Sequence, residues 1–110
     1  MIKTISVVHR KPGLSREEFY RYWENVHGPL VAKGFPLMKK YIQNHLIEAP
    51  GSNGEGDGLI EAWYDSLAAF EETMAFIRTP EAKPLGIDAA KILDMGKGRM
   101  WIVEEHVIKK

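Results

Sequence analysis

No cysteine occurs anywhere in the 110 residues, which excludes a disulfide framework, a thiolate nucleophile and an iron–sulfur cluster. Charge of neither sign is in excess. The 15 Lys and Arg balance the 15 Asp and Glu, so there is no basic stripe to hold a phosphate backbone, and nucleic acid is not an expected partner. No apolar run approaches the roughly 18 residues that cross a bilayer. The N-terminus opens directly on strand-like residues, without a charged and then apolar leader. The expectation is a cytoplasmic protein with no membrane partner. His-x-His and His-x-x-x-His spacings are absent, and His9, His45 and His106 fall on three separate segments, so no metal site is expected. Gly51, Gly54, Gly56 and Gly58 imitate a phosphate loop only by their number. They lack the Lys-Ser/Thr ending and a following helix, and read as a hairpin loop.

What is present fits one domain over residues 1–110, with a single core. Ile2 to His9 is rich in β-branched residues and is closed by Pro12-Gly13, which predicts a strand and a turn. Ser15-Arg16-Glu17-Glu18 is a capping box, so a helix is predicted from about Arg16 to His27 or slightly beyond. Lys39 to Glu48 alternates as a second strand, residues 49–57 form a loop, and Gly58 to Asp65 gives a third strand. Ser66 starts a second helix with Leu67, Phe70, Met74 and Ile77 at helical spacing. Thr79-Pro80 restarts a broken helix that runs to about Leu93, and Arg99 to Ile108 is a fourth strand. The order β-α-β-β-α-β predicts an α+β, ferredoxin-like sandwich: a four-stranded antiparallel sheet with helices on one face.

Such a sheet alternates apolar and polar residues when its second face meets water. These strands do not alternate cleanly. The fourth offers Met100, Ile102 and Ile108 to one side and Trp101, Val103 and Val107 to the other. The third sets Leu59 and Trp63 against Ile60, Ala62 and Tyr64. Two helices cover only one face, so a second copy of the sheet is the expected cover and a homodimer is predicted. The competing cover is the C-terminal segment or the stretch from Pro80 to Leu93.

The segment Trp23-Glu24-Asn25-Val26-His27-Gly28-Pro29 holds the chain's best-placed titratable group. At 100° per residue, Phe19, Tyr22, Trp23, Val26 and Leu30 fall on one apolar arc, and His27 and Tyr20 lie on its flank. Gly28 and Pro29 are expected to end or bend the helix and leave the imidazole at the mouth of a cleft. The competing reading is a boundary histidine that only satisfies helix carbonyls and the dipole. Tyr41, Gln43 and His45 share one face of their strand while Asn44 points the other way, and alternation alone does not say which set meets the helices. Asp88, in the broken helical region, either orients His27 or caps a turn. Trp23, Trp63, Phe76, Met95 and Trp101 are expected mostly in the core, some of them lining a cavity for a flat apolar ligand.

The run Leu14-Ser15-Arg16-Glu17-Glu18-Phe19-Tyr20-Arg21-Tyr22-Trp23, followed by His27-Gly28-Pro29 and Tyr41-Ile42-Gln43-Asn44-His45, resembles the EthD domain family. So does Trp63-Tyr64-Asp65-Ser66-Leu67 with Phe70, and the likeness extends from about Val7 to Val107. The resemblance implies a dimeric α/β barrel in which two ferredoxin-like sheets pack face to face. Family relatives include dehydratases of aromatic polyketide pathways. A more distant similarity is to methylmuconolactone isomerases, which move protons without a cofactor; by it, His27 and Tyr41 match the catalytic pair. The isomerase's reactive cysteine has no counterpart here.

The combined expectation is a cofactor-free dehydratase or isomerase acting on a small aromatic or enolisable molecule. His27 is the general acid/base and Tyr41 assists, with Trp23, Asn44, His45, Trp63, Asp88 and Trp101 as substrate-binding candidates. The alternatives are a cofactor-independent monooxygenase of the same fold, or a non-catalytic carrier of a hydrophobic or aromatic ligand.

Overall fold

The computed structural model describes residues 1–110. Strand β1 (Ile2–Val8) is followed by helix α1 (Arg16–Tyr22), one π-helical turn (Trp23–His27) and helix α2 (Gly28–Gly34). Strands β2 (Met38–His45) and β3 (Gly58–Tyr64) then form a hairpin, and helix α3 (Leu67–Ile77) packs behind it. A 3-10 turn (Pro80–Ala82) leads into helix α4 (Lys83–Ile92), and strand β4 (Arg99–Val103) completes a sheet of order β2-β3-β1-β4. All neighbouring strands are antiparallel. This is the expected ferredoxin-like sandwich. No helix is long and apolar enough to cross a membrane.

The capping box forms as the sequence predicts: Ser15 Oγ accepts from the Glu18 N–H, and Glu18 accepts from the Ser15 N–H. Helix α3 is capped at its start by the Ser66 hydroxyl, which accepts from the Ala69 N–H. The loop between β2 and β3 is tied down at its far end by Asp57. The Asp57 carboxylate accepts from the Arg10 backbone N–H and side chain and from the Arg16 guanidinium. Burial acts to raise the Asp57 carboxyl, and the Arg10 and Arg16 hydrogen bonds overcome it and hold it below the ordinary carboxylate value.

Of the two outcomes expected at Gly28-Pro29, an end or a bend, the helix after Ser15 does not end there. A proline inside a straight α-helix lacks the N–H for the carbonyl four residues back, and its ring crowds that carbonyl. Here the chain takes in one extra residue before the proline. The Gly28 N–H bonds the Trp23 carbonyl five residues back, and Pro29 falls in the first turn of α2, where a missing N–H costs little. The rotation per residue changes at this turn, so the arc drawn with 100° steps breaks there. Phe19 and Trp23 are fully buried, but Val26 and Leu30 are each 41% exposed.

Strand register assigns the faces. Gly58, Ile60, Ala62 and Tyr64 of β3 pair with β1 residues Val8, Ser6, Thr4 and Ile2, and with β2 residues His45, Gln43 and Tyr41 opposite the first three. This is the helix side: Val8 packs with Phe19, Trp23 and Ile92, and Ala62 and Tyr64 pack with Phe70. Gly58 is required by the first of these groups, because a Cβ there would lie 2.7 Å from the Trp23 ring.

The other face carries Lys3, Ile5, Val7, Ile42, Leu59, Glu61, Trp63, Trp101 and Val103. It is not uniformly apolar. Lys3 pairs with Glu61 at 2.7 Å, and the Lys3 and Lys40 ammonium groups lie 4.7 and 4.8 Å from the Trp63 ring centroid. Two further expectations change here. The fourth strand ends at Val103 instead of Ile108. Beyond it, only Glu105 reaches back over the open face, to Lys3 and the Trp63 indole N–H, while Val107 and Ile108 are exposed.

Candidate functional site

The π turn positions two polar groups, one on each flank. In an α-helix, residues five apart point about 140° away from each other. The extra residue of the π turn brings Tyr22 and His27 round to the same side, toward α4. Both meet Asp88. His27 Nδ1 lies 2.9 Å from Asp88 Oδ2, and the Tyr22 hydroxyl donates to Asp88 Oδ1. A carboxylate only accepts, so the Nδ1 atom carries a proton, and in the neutral ring Nε2 is the nitrogen with the lone pair. Nε2 makes no hydrogen bond within the chain.

His27 and Asp88 are each 6% exposed. Burial acts to raise the Asp88 carboxyl, but the hydrogen bonds from Tyr22 and His27 and the charge of Lys91, 3.7 Å away, hold it below the ordinary carboxylate value. The same hydrogen bond to Asp88 raises the Tyr22 hydroxyl. Asp88 is thus the residue that orients His27, one of the two roles its sequence position left open. His27 is buried instead of standing at the mouth of a cleft, because the helix continues past it and α4 packs against the turn.

The opposite flank faces β2. Tyr41, Gln43 and His45 are on the helix side of the sheet, which resolves the alternation left open by the sequence, and Asn44 is on the other face. With Glu24, Gly28 and Pro29 these three residues wall a cleft of about 560 Å³ at the β2 edge. Gln43 Nε2 donates to the Trp23 carbonyl at 2.8 Å and to the Tyr41 hydroxyl oxygen at 3.2 Å. Gln43 Oε1 lies 3.0 Å from His45 Nε2. The His45 ring is stacked on Tyr20 and on Trp23, with centroids 4.4 and 5.1 Å apart. The Trp23 indole N–H is buried with no hydrogen-bond partner. Burial pushes the Tyr41 hydroxyl above the ordinary phenol value, while the Gln43 hydrogen bond pulls the other way.

The candidate residues therefore fall into three places. His27 and Asp88 meet between the π turn and α4. Tyr41 and His45 line the β2 cleft, behind which Trp23 is packed. Asn44, Trp63 and Trp101 lie on the open face, where Asn44 donates to Glu61 and to the Leu59 carbonyl, and Trp101 is 54% exposed. Tyr22 and Gln43 were not among the candidates. The Tyr-x4-His spacing ahead of Gly-Pro, and a glutamine on an inward strand face, were the signals available. A separate apolar cleft of about 450 Å³ runs between the sheet and α3, with Ile60, Met74, Ile77, Met95 and Met100 in its wall. No three His, Asp or Glu side chains come together in a way that could hold a metal ion.

Comparison with known proteins places the chain in a family. The dehydratase ustZ of Ustilaginoidea virens is 39% identical over 67 residues, covering 61% of this chain and 44% of that protein, so the match spans less than half of the relative. An ethyl tert-butyl ether degradation (EthD) family protein from Bacillus halodurans superposes with a TM-score of 0.70 at 23% identity, covering 96% of this chain and all of the other. SnoaB from Streptomyces nogalater, a cofactor-independent oxygenase, superposes with a TM-score of 0.61 at 10% identity over 99% and 97% of the two chains. Solved structures with this fold include dimeric ferredoxin-like proteins. The EthD domain itself matches residues 11–96, from the turn before the capping box to the segment after α4, and the chain belongs to the EthD domain family.

Proposed function

We propose that this chain is a cofactor-free acid–base catalyst of the dehydratase type, acting on a small enolisable molecule, with His27 as the acid/base. The observation that carries the reading is the buried His27–Asp88–Tyr22 group. Asp88 fixes the tautomer in which Nε2 is the basic atom, and it is itself kept ionised by Tyr22 and Lys91. On a β-hydroxy carbonyl compound, Nε2 removes the proton next to the carbonyl and the Tyr41 hydroxyl supports the negative charge on oxygen. The proton then returns from Nε2 to the departing hydroxyl, and water and a conjugated carbonyl compound result. The likeness to ustZ supports the reaction class. The reading requires the cover over His27 to open, so that Nε2 reaches a molecule held in the β2 cleft against Gly28, the next residue.

The test is turnover of a panel of cyclic and aromatic β-hydroxy ketones, followed by the absorbance of the conjugated product. His27→Ala is expected to lose about 10²–10⁴ of the rate, the usual contribution of one general acid/base. Full turnover by that variant overturns the mechanism. The deep burial of His27 favours a second reading, in which His27–Asp88 is a structural clamp and the protein carries its ligand without reacting it. No turnover across the panel, with ligand binding retained, decides for that one.

We also infer that the open face of the sheet, with Ile5, Ile42, Leu59 and the half-exposed Trp101, pairs with the same face of a second copy. The dimeric proteins of this fold support this. A monomer mass in sedimentation equilibrium at micromolar concentration overturns it.

A further inference from the structure

We propose that Gln43 is the positioning residue of the β2 cleft: anchored on the Trp23 carbonyl, it turns Tyr41 into a hydrogen-bond donor for the oxygen of an uncharged carbonyl compound. The inference deepens the acid–base reading, on which it rests for its role in turnover, while the binding it describes needs no turnover.

The argument starts from the π turn. The Trp23 carbonyl accepts the Gly28 N–H from five residues ahead and has a second lone pair directed at the sheet. A carbonyl only accepts, so the Gln43 group 2.8 Å from it is the amide NH₂ and not the amide oxygen. Everything else along the strand follows from that single constraint. The second N–H of the amide meets the Tyr41 oxygen. The amide oxygen faces His45 Nε2, which must then carry the ring proton, leaving Nδ1 as the unprotonated nitrogen of the neutral ring.

Tyr41 is the end of this line. Its oxygen already accepts from the Gln43 amide. An amide NH₂ only donates. The phenol's own proton has no acceptor in the chain, so it is available to a molecule in the cleft. Gly28 makes the arrangement possible, because a Cβ there would sit 2.9 Å from Gln43 Nε2 and 3.1 Å from the Trp23 oxygen. Charge selects the ligand. The ionisable groups of the wall are Glu24, Tyr41 and His45, with no Lys or Arg among them. A carboxylate or phosphate would meet Glu24 without a permanent counter-charge. A neutral carbonyl oxygen meets a donor that is already oriented.

Two measurements on the full chain test this, with cyclohex-2-enone labelled with ¹³C at the carbonyl as the probe. Binding to the wild type is expected to move the carbonyl carbon resonance downfield. Tyr41→Phe loses that shift, and Gln43→Leu weakens binding by about tenfold, the upper range for one neutral hydrogen bond. In ¹⁵N spectra at about pH 8, where imidazole is neutral, His45 is expected as the Nε2–H tautomer in the wild type and in Tyr41→Phe, and as a mixture in Gln43→Leu. The proposal is overturned by a wild-type His45 protonated at Nδ1, by no enone shift, or by a Gln43→Leu protein unchanged in both readouts. If Gln43→Leu does not fold, the wild-type tautomer and Tyr41→Phe still decide. A His27→Ala protein that keeps both the enone shift and full turnover overturns the acid–base reading and leaves this one standing.

Discussion

The two flanks of the π turn differ in kind. Toward α4, His27, Tyr22 and Asp88 form a closed group in which the carboxylate has a partner at each oxygen and almost no surface is exposed. Toward β2, Tyr41, Gln43 and His45 form an open row of uncharged hydrogen bonds that ends on a proton with no acceptor in the chain. One five-residue turn serves both. Its His27 side chain joins the closed group, and the second lone pair of its Trp23 carbonyl holds the open one. A buried charge tolerates no missing partner, whereas a neutral row at a cleft can leave its last valence for a ligand. The closed group should therefore dominate stability and the open row should dominate recognition.

The largest effect expected from that contrast is on Asp88. Asp88→Ala leaves one buried and one half-buried donor facing a void and should cost about 3 kcal/mol, the usual penalty for breaking a buried pair from one side. Urea unfolding measures it, and a loss no larger than for a surface residue would place the closed group among the dispensable contacts. The acid limb of the stability curve tests the charge separately. The folded Asp88 carboxyl lies below its unfolded value, so the unfolded state binds more protons near that range. Its contribution is present above the ordinary carboxylate value, about pH 4, and is lost as pH falls through the folded value. Asp57 and Glu61 are lowered too and act in the same direction. Asp88→Asn should therefore flatten the acid limb without abolishing it.

The fold was legible because its signals are local and redundant. The Ser15-to-Glu18 capping box, the glycine-rich hairpin loop and the β-branched segments each marked an element that forms where expected. The helix around His27 was less legible for a specific reason. A wheel drawn at 100° per residue has no place for an inserted residue, so it put Val26 and Leu30 inside and His27 on a cleft. In the structure the turn rotates Val26 and Leu30 outward and His27 toward α4. Pro29 was the available clue, since a proline in a continuing helix needs the carbonyl ladder rearranged ahead of it. The pairing of His27 with Asp88, 61 residues apart, depends on how α4 packs, which no spacing records. The strand face of Tyr41 was undetermined for a similar reason: alternation defines two sides, and the register against Ala62 and Ile60 decides which one meets the helices.

A substitution at the turn itself should separate the two flanks. Gly28→Ala improves helix propensity by up to about 1 kcal/mol. Its Cβ, however, enters the space between Gln43 Nε2 and the Trp23 oxygen, and overpacking of this kind costs about 1–3 kcal/mol. The expected net change is a loss of about 1 kcal/mol in urea. It should come with a disturbed His45 resonance on the open row, while the acid limb governed by Asp88 stays unchanged. If the acid limb shifts as well, the turn transmits strain to both sides and the flanks are not independent.

The smallest effect is expected at the end of the open row. Tyr41→Phe removes a hydroxyl whose proton has no partner in the chain and whose oxygen accepts from Gln43 at 3.2 Å. Gln43 keeps its shorter bond to the Trp23 carbonyl, so the loss is one neutral hydrogen bond, offset in part by the easier burial of a phenyl ring. The change should be at most about 0.5–1 kcal/mol at neutral pH. It should reverse sign in alkali. Because burial raises the folded Tyr41 hydroxyl above its unfolded value, the native state holds a proton that the unfolded chain releases, and the stability it supplies is lost as pH rises past about 10. The phenylalanine variant has no such proton to lose. It should cross the wild type and become the more stable protein at high pH, although Tyr22, Tyr64 and Lys3, all raised, still unfold both proteins there. A Tyr41→Phe protein that loses several kcal/mol at neutral pH would mean that the hydroxyl proton already has a structural partner, and that the open row is a second closed group.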